Sequence, residues 1–377
     1  MRGDGGFADR RRIARACEGD KGGQVAYRVA QWSTGNVGRL ALHGIIEHPA
    51  LELVGVLVHS PDKAGRDAGE LAGLPPTGVL ATTDPDEILR LGADCVSYTA
   101  TGDLRPDEAV ADMVRILEAG TNVVSTSVVP LVYPPSAPAR YTEPLGTACK
   151  TGGVSCFTSG IDPGFANDLI PFAFLGACER VDSVRVMEIL DYSTYLQADV
   201  LFDIMGFGGS LDELPLILQP GVTALAWGGT VSVLAAGLGA ELEDIREVHE
   251  RVPAARDYET PLGTIAAGTT AGMRFEVQGI VGGEPRVVLE HVTRINPEVA
   301  PEWPQLPDQG GYRVDIDGNP ALHCQFHFEG EDGDHNTGGL TATAMRCLNA
   351  IPAVCDADPG VLSVLDLPLA TGRGLMR

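Results

Sequence analysis

The chain has 377 residues, enough for two domains and a sizeable core. A hydrophobic share of 44% and a charged share of 21% are ordinary for a globular protein, while a formal net charge of −24 argues against nucleic acid or an anionic membrane as partner, because phosphates would be repelled. Eight cysteines without a C-x-x-C pair read as reduced core residues and give no sign of a disulfide framework or a zinc site.

In chain order, residues 1–26 carry Arg10-Arg11-Arg12 but no apolar run of the kind a secretory signal needs. They are expected to be a disordered extension or the product of an upstream start codon, with a cytoplasmic location. The first patterned stretch is an apolar run, Tyr27 to Trp32, then Ser33-Thr34-Gly35-Asn36-Val37-Gly38, then a helical pattern from Arg39 to Ile46. The spacing is G-x-G-x-x-G with Ser33 in the first glycine's place. Gly35 allows close approach of a pyrophosphate, Gly38 allows close packing of helix on strand, and the helix N-terminus faces the phosphates. A second β-like run, Leu51 to Val58, follows at βαβ distance and marks a dinucleotide-binding unit. The alternation continues with a short helix over Pro85–Leu91, strand 93–99, helix 107–119, strand 122–126, a helical segment near 138–151 and strand 153–158. This predicts a Rossmann-type α/β domain over 27–160, a doubly wound parallel sheet.

Beyond about residue 180 the pattern changes. Val181–Leu190 predicts a strand and Val222–Ala240 a helix; Val222–Leu238 within it is the closest to a membrane span, but it is rich in Gly and Thr, and no span is expected. Strands 272–281 and 285–295 flank the hairpin signal Gly282-Gly283-Glu284, and 312–316 and 321–328 flank Asp317-Gly318-Asn319-Pro320. Residues 161–335 therefore predict an α+β substrate and dimerisation domain with a largely antiparallel sheet, helices on one face and the other free for a homodimer. A last helix over 340–350, ending near Pro352, predicts that 336–377 returns to the first domain.

The candidate cofactor residues are Ser33, Thr34, Gly35, Asn36, Val37 and Gly38 of the turn and His59, Ser60 and Lys63 after the second strand. NAD-specific sites place an acidic residue there for the ribose 2′-OH. Here His59-Ser60 stand in its place with Lys63 and Arg66 beyond and Asp62 as counterweight, so NADP is preferred and NAD remains possible. Ala100 and Thr101, Ser127, and Gly160 sit at the predicted carboxyl ends of later strands, where ligands lie in doubly wound sheets. Asp162 offers a carboxylate to a substrate amine or a turn residue, and Asp191 and Tyr195 offer a substrate wall and a proton donor or simple capping. The stretch Asp315–Asn319 has its glycine misplaced for a calcium loop, and no metal site is expected.

The stretches 31–38, 60–67, Ser159-Gly160-Ile161-Asp162-Pro163-Gly164-Phe165 and Asn349-Ala350-Ile351-Pro352 together resemble actinobacterial proteins with a dihydrodipicolinate-reductase-like N-terminal domain, akin to 2,4-diaminopentanoate dehydrogenase and the native amine dehydrogenases. The resemblance covers about 27–370 and implies NAD(P)-dependent reduction of an imine or ketone. Two departures shape the expectation. The paired-histidine and lysine motif of true dihydrodipicolinate reductase is absent. The glutamate that would hold an ammonium in the diaminopentanoate and amine enzymes is replaced by Val129 or Pro130 in Ser127–Pro134. The leading expectation is hydride transfer to a neutral carbonyl or an imine of a small-molecule substrate. Reductive amination with Asp191 as the substitute carboxylate is one alternative; a non-catalytic dinucleotide-binding sensor is another.

Overall fold

The computed structural model describes residues 26–102, 105–306 and 310–376, so the expected N-terminal extension lies outside it except for its last residue. The chain forms two compact units: one ends at Gly160 and resumes at Leu340, and the other runs from Ile161 to Gly339.

The first unit begins β1 (Tyr27–Trp32), α1 (Asn36–Glu47), β2 (Leu51–Leu57), α2 (Ala68–Ala72), β3 (Ala81–Thr82) and α3 (Pro85–Arg90). It continues β4 (Cys95–Tyr98), α4 (Pro106–Glu118), β5 (Asn122–Ser125), α5 (Ala139–Gly152) and β6 (Cys156–Thr158). The second unit contains α6 (Leu169–Leu175), β7 (Arg180–Asp191), α7 (Val222–Gly237), β8 (Asp244–Pro253), β9 (Tyr258–Thr260) and β10 (Gly263–Ile265). Then come β11 (Thr270–Val281), β12 (Glu284–Arg294), β13 (Gly310–Asn319) and β14 (Leu322–Phe326). Helix α8 (His335–Asp356) leads into the last part of the first unit, which ends with β15 (Val361–Leu362).

In the first unit the strands pair in parallel in the order β15-β6-β5-β4-β1-β2-β3, the doubly wound arrangement. The central strands β4, β5 and β6 bury both faces, as parallel sheets require. Val29, Val124 and Phe157 pack with Ala41 and Ile45 of α1 and Leu348 and Ile351 of α8. Their neighbours Ala30, Val123 and Cys156 pack with Met113 and Ile116 of α4 and Tyr141 and Leu145 of α5. Helix α8 passes through Pro352 to Asp356 rather than stopping near the proline as expected. Its buried residues Ile351 and Val354 lie on either side of that point, so burial of the helix on the sheet outweighs the one backbone bond a proline removes.

In the second unit six strands pair in the order β14-β13-β7-β12-β11-β8, all antiparallel except β7 with β12. Strand β8 escapes a hydrophobicity reading: Asp244 to Pro253 is mostly charged and sits at the sheet edge, where its outward side chains need no apolar cover. One face of the sheet packs with α7 through Val184, Val186, Phe275, Val277, Leu289, Val231 and Leu234. The other face carries an ionic lattice. Arg185 bonds Glu276 at 2.8 Å and also Glu290, and Arg274 Nε reaches Glu290 at 2.7 Å, with the Glu290 side chain fully buried. Among the described residues no helix is long and apolar enough to cross a membrane.

Candidate functional site

The glycine turn joins β1 to α1. Ser33 takes φ +81°, the left-handed conformation glycine adopts without cost, which is why glycine is the usual residue there. A Cβ on Gly38 would lie 2.4 Å from the Ser33 carbonyl oxygen and 2.6 Å from Thr99 Oγ1, so only glycine permits this helix–strand approach. A Cβ on Gly35 would meet nothing within 4 Å, which leaves open space at the head of α1. Gly35 is the helix N-cap, no side chain caps it, and the first turn carries no acidic residue. The first N–H groups and the positive dipole end are thus unquenched, and these residues fit a dinucleotide pyrophosphate. Beneath the turn the buried Gln31 amide donates to the Ser33 carbonyl at 2.8 Å and to Thr99 Oγ1 at 2.7 Å, fixing its shape.

The residues after β2 divide. Lys63 Nζ donates to the Thr34 carbonyl at 3.0 Å and approaches Thr34 Oγ1 at 3.3 Å, so its ammonium is held against the turn. Arg66 turns away to an exposed ion pair with Glu70 at 2.7 Å. His59 and Ser60 are exposed, and a hydrogen bond with Ser60 holds the Asp62 carboxyl below its ordinary range. At the carboxyl ends of β4 and β5, the Ser127 hydroxyl donates to the Ala100 carbonyl, Thr101 is exposed, and Gly160 is buried just past β6. Val128, within the segment that lacks the expected glutamate, takes φ +59°, a strained conformation for a β-branched residue.

The second unit places a cluster of ionisable groups on the helix-covered face of its sheet. Cross-strand register produces it: Phe326 of β14 faces Tyr312 of β13, Tyr312 faces Glu188 of β7, Glu188 faces His291 of β12, and His291 faces Phe275 of β11. Asp162, from the turn after β6, completes the set. His291 Nε2 lies 2.8 Å from Asp162 Oδ2 and Nδ1 lies 3.3 Å from Glu188 Oε2. The first approach is a charge contact, since the ring N–H is not aligned on that oxygen. Trp227 Nε1 of α7 donates to Asp162 Oδ1 at 2.8 Å. The imidazole stacks on Phe275 with centroids 4.8 Å apart and meets Trp227 at 4.6 Å.

Burial among aromatics sets the charge states. Burial pushes the Glu188 carboxyl up, the Asp162 charge pushes it further, and His291 and Tyr312 offset only part, so it stands at about 8. Burial also pushes the Asp162 carboxyl up, but His291, Asn167 and Trp227 outweigh it and the net shift is down. For His291 burial acts downward, and the charges of Asp162 and Glu188 outweigh it to give a net rise. The directions favour a carboxylate on Asp162 paired with a protonated His291 and a proton kept on Glu188, a perturbed set of the kind found where protons are moved. Ligand-type atoms of these three residues all lie within 4.8 Å of one another, close enough to hold a cation.

Of the three expected catalytic residues, only Asp162 belongs to this cluster. Asp191 caps a turn, accepting from the Ser193 N–H at 2.8 Å. Tyr195 stacks on Tyr192 with centroids 4.2 Å apart, and burial first, then the Glu188 charge, push its phenol up to about 12. Glu188 and His291 went unremarked in the sequence. The available signal was a charged residue at an inward position of a period-two strand, Val184, Val186, Glu188 on β7 and Val287, Leu289, His291 on β12.

The C-terminal domain of 2,4-diaminopentanoate dehydrogenase matches this chain over residues 165–376. An amine dehydrogenase of Streptomyces virginiae is 43% identical over 347 residues, 91% of this chain and 96% of the relative. The 2,4-diaminopentanoate dehydrogenase of Acetoanaerobium sticklandii is 28% identical over 257 residues, 67% of this chain and 68% of that one. The solved structure of an amine dehydrogenase from Mycobacterium smegmatis superposes with a TM-score of 0.73 at 20% identity, covering 93% of this chain and 98% of that one, a likeness of fold.

Proposed function

The chain belongs to the 2,4-diaminopentanoate dehydrogenase family and is an NAD(P)-dependent oxidoreductase, and we propose that it interconverts an amine with the corresponding imine or carbonyl compound, preferring NADP(H). The observation that carries the substrate side is the buried Asp162–His291–Glu188 cluster. The glutamate expected in the Ser127–Pro134 segment is missing, and a buried ammonium needs a carboxylate partner. Within the second unit, Asp162 and Glu188 are two carboxyl groups with opposite shifts, one of which can serve as such a partner.

The dinucleotide, when bound, supplies or accepts the hydride. The rest is the work of the chain's own residues. The head of α1 would hold the pyrophosphate, and Lys63, held against the turn at Thr34, would offer a cation to a ribose 2′-phosphate, the role that favours NADP(H). The Asp162 carboxylate stabilises positive charge on the substrate nitrogen. Glu188, half ionised near pH 8, gives a proton to the departing hydroxyl of a carbinolamine in reductive amination and takes one from the ammonium in oxidation. His291, clamped between the two carboxyl groups, sets their difference. In the aminating direction a carbonyl compound, ammonia, the reduced dinucleotide and a proton yield amine, oxidised dinucleotide and water. The self-complementary ionic face of Arg185, Arg274, Glu276 and Glu290 supports a homodimer built on the open side of the second sheet.

The test follows NADPH oxidation with a panel of ketones and aldehydes, with and without ammonia. Turnover that requires ammonia and disappears in Glu188→Gln with NADPH binding intact supports the reading. Equal turnover without ammonia makes the substrate a carbonyl reduced to an alcohol and removes the amine reading.

A further inference from the structure

Tyr312 of β13 stands opposite Glu188 of β7 in the sheet register, and its phenol hydroxyl donates to the Glu188 carboxylate. Packing fixes where that hydroxyl lies. Only 5% of the residue is exposed; the ring stacks on Phe326 with centroids 5.5 Å apart and meets Phe328 edge-on at 6.0 Å. The O–H bond can still turn about the fixed C–O bond. Burial first, then the charges of Glu188 and Asp162, push the phenol up, so it stays a hydroxyl.

The other groups around Glu188 lack that freedom. From β12, His291 Nδ1 lies 3.3 Å from Glu188 Oε2, and an imidazolium can only donate. Asp162, from the turn after β6, brings a like charge. Tyr192 and Tyr195, just past the end of β7, sense the Glu188 charge but stack on each other. From α7, the Trp227 indole donates to Asp162.

Glu188 needs a different partner in each of its states. As a neutral acid it has an O–H to donate and a carbonyl oxygen that can accept from His291. As a carboxylate it has acceptors alone, and a buried carboxylate short of donors is costly. A hydroxyl serves both states, accepting the acid proton in the first and donating in the second, by rotation about one bond.

We propose that Tyr312 is the positioning residue of the proton-carrying carboxyl, its hydroxyl reversing from acceptor to donor as Glu188 gives up its proton. The role rests on the amine reading, in which the carbinolamine C–O bond breaks, its electron pair leaves with the oxygen, and the Glu188 proton joins that oxygen to release water. Tyr312 keeps its own proton throughout. The pairing of Tyr312 with Glu188 does not depend on that reading.

The experiment compares urea midpoints of wild type, Tyr312→Phe, Glu188→Gln and the double variant from pH 5.5 to 10. Phenylalanine keeps the ring stack and removes the hydroxyl. A carboxyl raised in the folded state contributes stability at low pH and loses it as pH rises through its folded value, here about 8. Without the Tyr312 donor the carboxylate loses a hydrogen bond, so in Tyr312→Phe the decline should run on about one to two pH units further before levelling. Glu188→Gln and the double variant should lack it, and the difference between Tyr312→Phe and the double variant separates it from other groups that titrate at high pH. Tyr312→Gln gives up the ring but keeps a group that both donates and accepts, and should move the plateau part of the way back. In turnover with NADPH, a ketone and ammonia, the alkaline limb of kcat should rise with the plateau in Tyr312→Phe while KM stays within about twofold. Parallel stability curves for wild type and Tyr312→Phe, or a plateau reached at lower pH, overturn the role and leave the oxidoreductase reading standing. A shifted plateau with an unmoved kcat limb keeps the hydrogen bond but removes it from the reaction, and so overturns the positioning role as well.

Discussion

Replacing Glu188 with glutamine probes the cluster most directly, because stability and catalysis respond in different ways. Burial and the nearby Asp162 charge lift this carboxyl from its ordinary 4.5 to about 8. A group of that kind keeps its proton in the folded state at pH values where the unfolded chain has lost it. Wild-type stability should therefore decline as pH rises from about 4.5 and level off above about 8. At 1.36 kcal/mol per decade the shift corresponds to a ceiling of about 5 kcal/mol between those limits, which rearrangement around His291 reduces to a few. Glutamine is neutral at every pH and has the shape of the protonated acid. The Glu188→Gln variant should lack this decline and be more stable than wild type at pH 8.5, while losing turnover. Urea midpoints of both proteins at pH 5.5, 7 and 8.5 provide the comparison. Parallel pH curves would mean that Glu188 is ionised throughout, and the assignment of a neutral acid beside an Asp162–His291 pair would be wrong.

Asp162→Asn leaves His291 without its 2.8 Å carboxylate partner and should cost about 3–5 kcal/mol of stability. It should also lower the Glu188 pKa, visible as a downward move of the alkaline limb of kcat against pH. Lys63→Glu puts a carboxylate where an ammonium now bonds Thr34 and should weaken NADPH binding at least tenfold with little effect on NADH, measured by fluorescence titration; equal losses would remove Lys63 from 2′-phosphate recognition. Gly38→Ala forces a methyl group to within 2.4 Å of the Ser33 carbonyl oxygen and should weaken both dinucleotides more than tenfold. Ser33→Gly relieves the φ of +81° and should raise stability by up to about 1 kcal/mol, since the greater unfolded-state freedom of glycine cancels part of the gain. A drop in melting temperature would show that the serine side chain matters more than the backbone.

The parts of this protein that repeat a local pattern were legible from sequence. The turn Ser33–Gly38 combines three backbone demands within six residues, and each leaves a mark: an uncapped helix start, a contact too close for a Cβ and a left-handed residue. The hairpins around Gly282-Gly283 and Asn319-Pro320 were legible for the same reason. Strand β8 was not, because an edge strand needs no apolar face to be held. The catalytic candidates Asp191 and Tyr195, at and just past the end of β7, were chosen for their place at a strand end, a rule that describes parallel sheets. In the second unit the sheet is mixed, and Asp191 there serves as a turn cap. Glu188 is three residues earlier, inside the strand, with its side chain on the covered face.

Asp162, Glu188 and His291 are separated by 26 and 103 residues, and only the register of β7 against β12, with the turn after β6, unites them. Each alone has a dull reading: a turn aspartate, a charge in a strand, a buried histidine. Their chemistry exists only as a set, because a single buried carboxyl would simply stay protonated. Two carboxyl groups sharing one imidazolium split instead, one held down and the other up. That splitting also bears on the missing glutamate of the Ser127–Pro134 segment. The amine reading needs one charged carboxylate for the nitrogen and one neutral acid for the proton, and the second unit carries a carboxyl group of each kind. Asp162→Asn and Glu188→Gln separate those two duties: the first should weaken amine binding, and the second should spare binding and stop turnover. Identical losses in both would mean that the pair serves the fold of the sheet rather than the reaction.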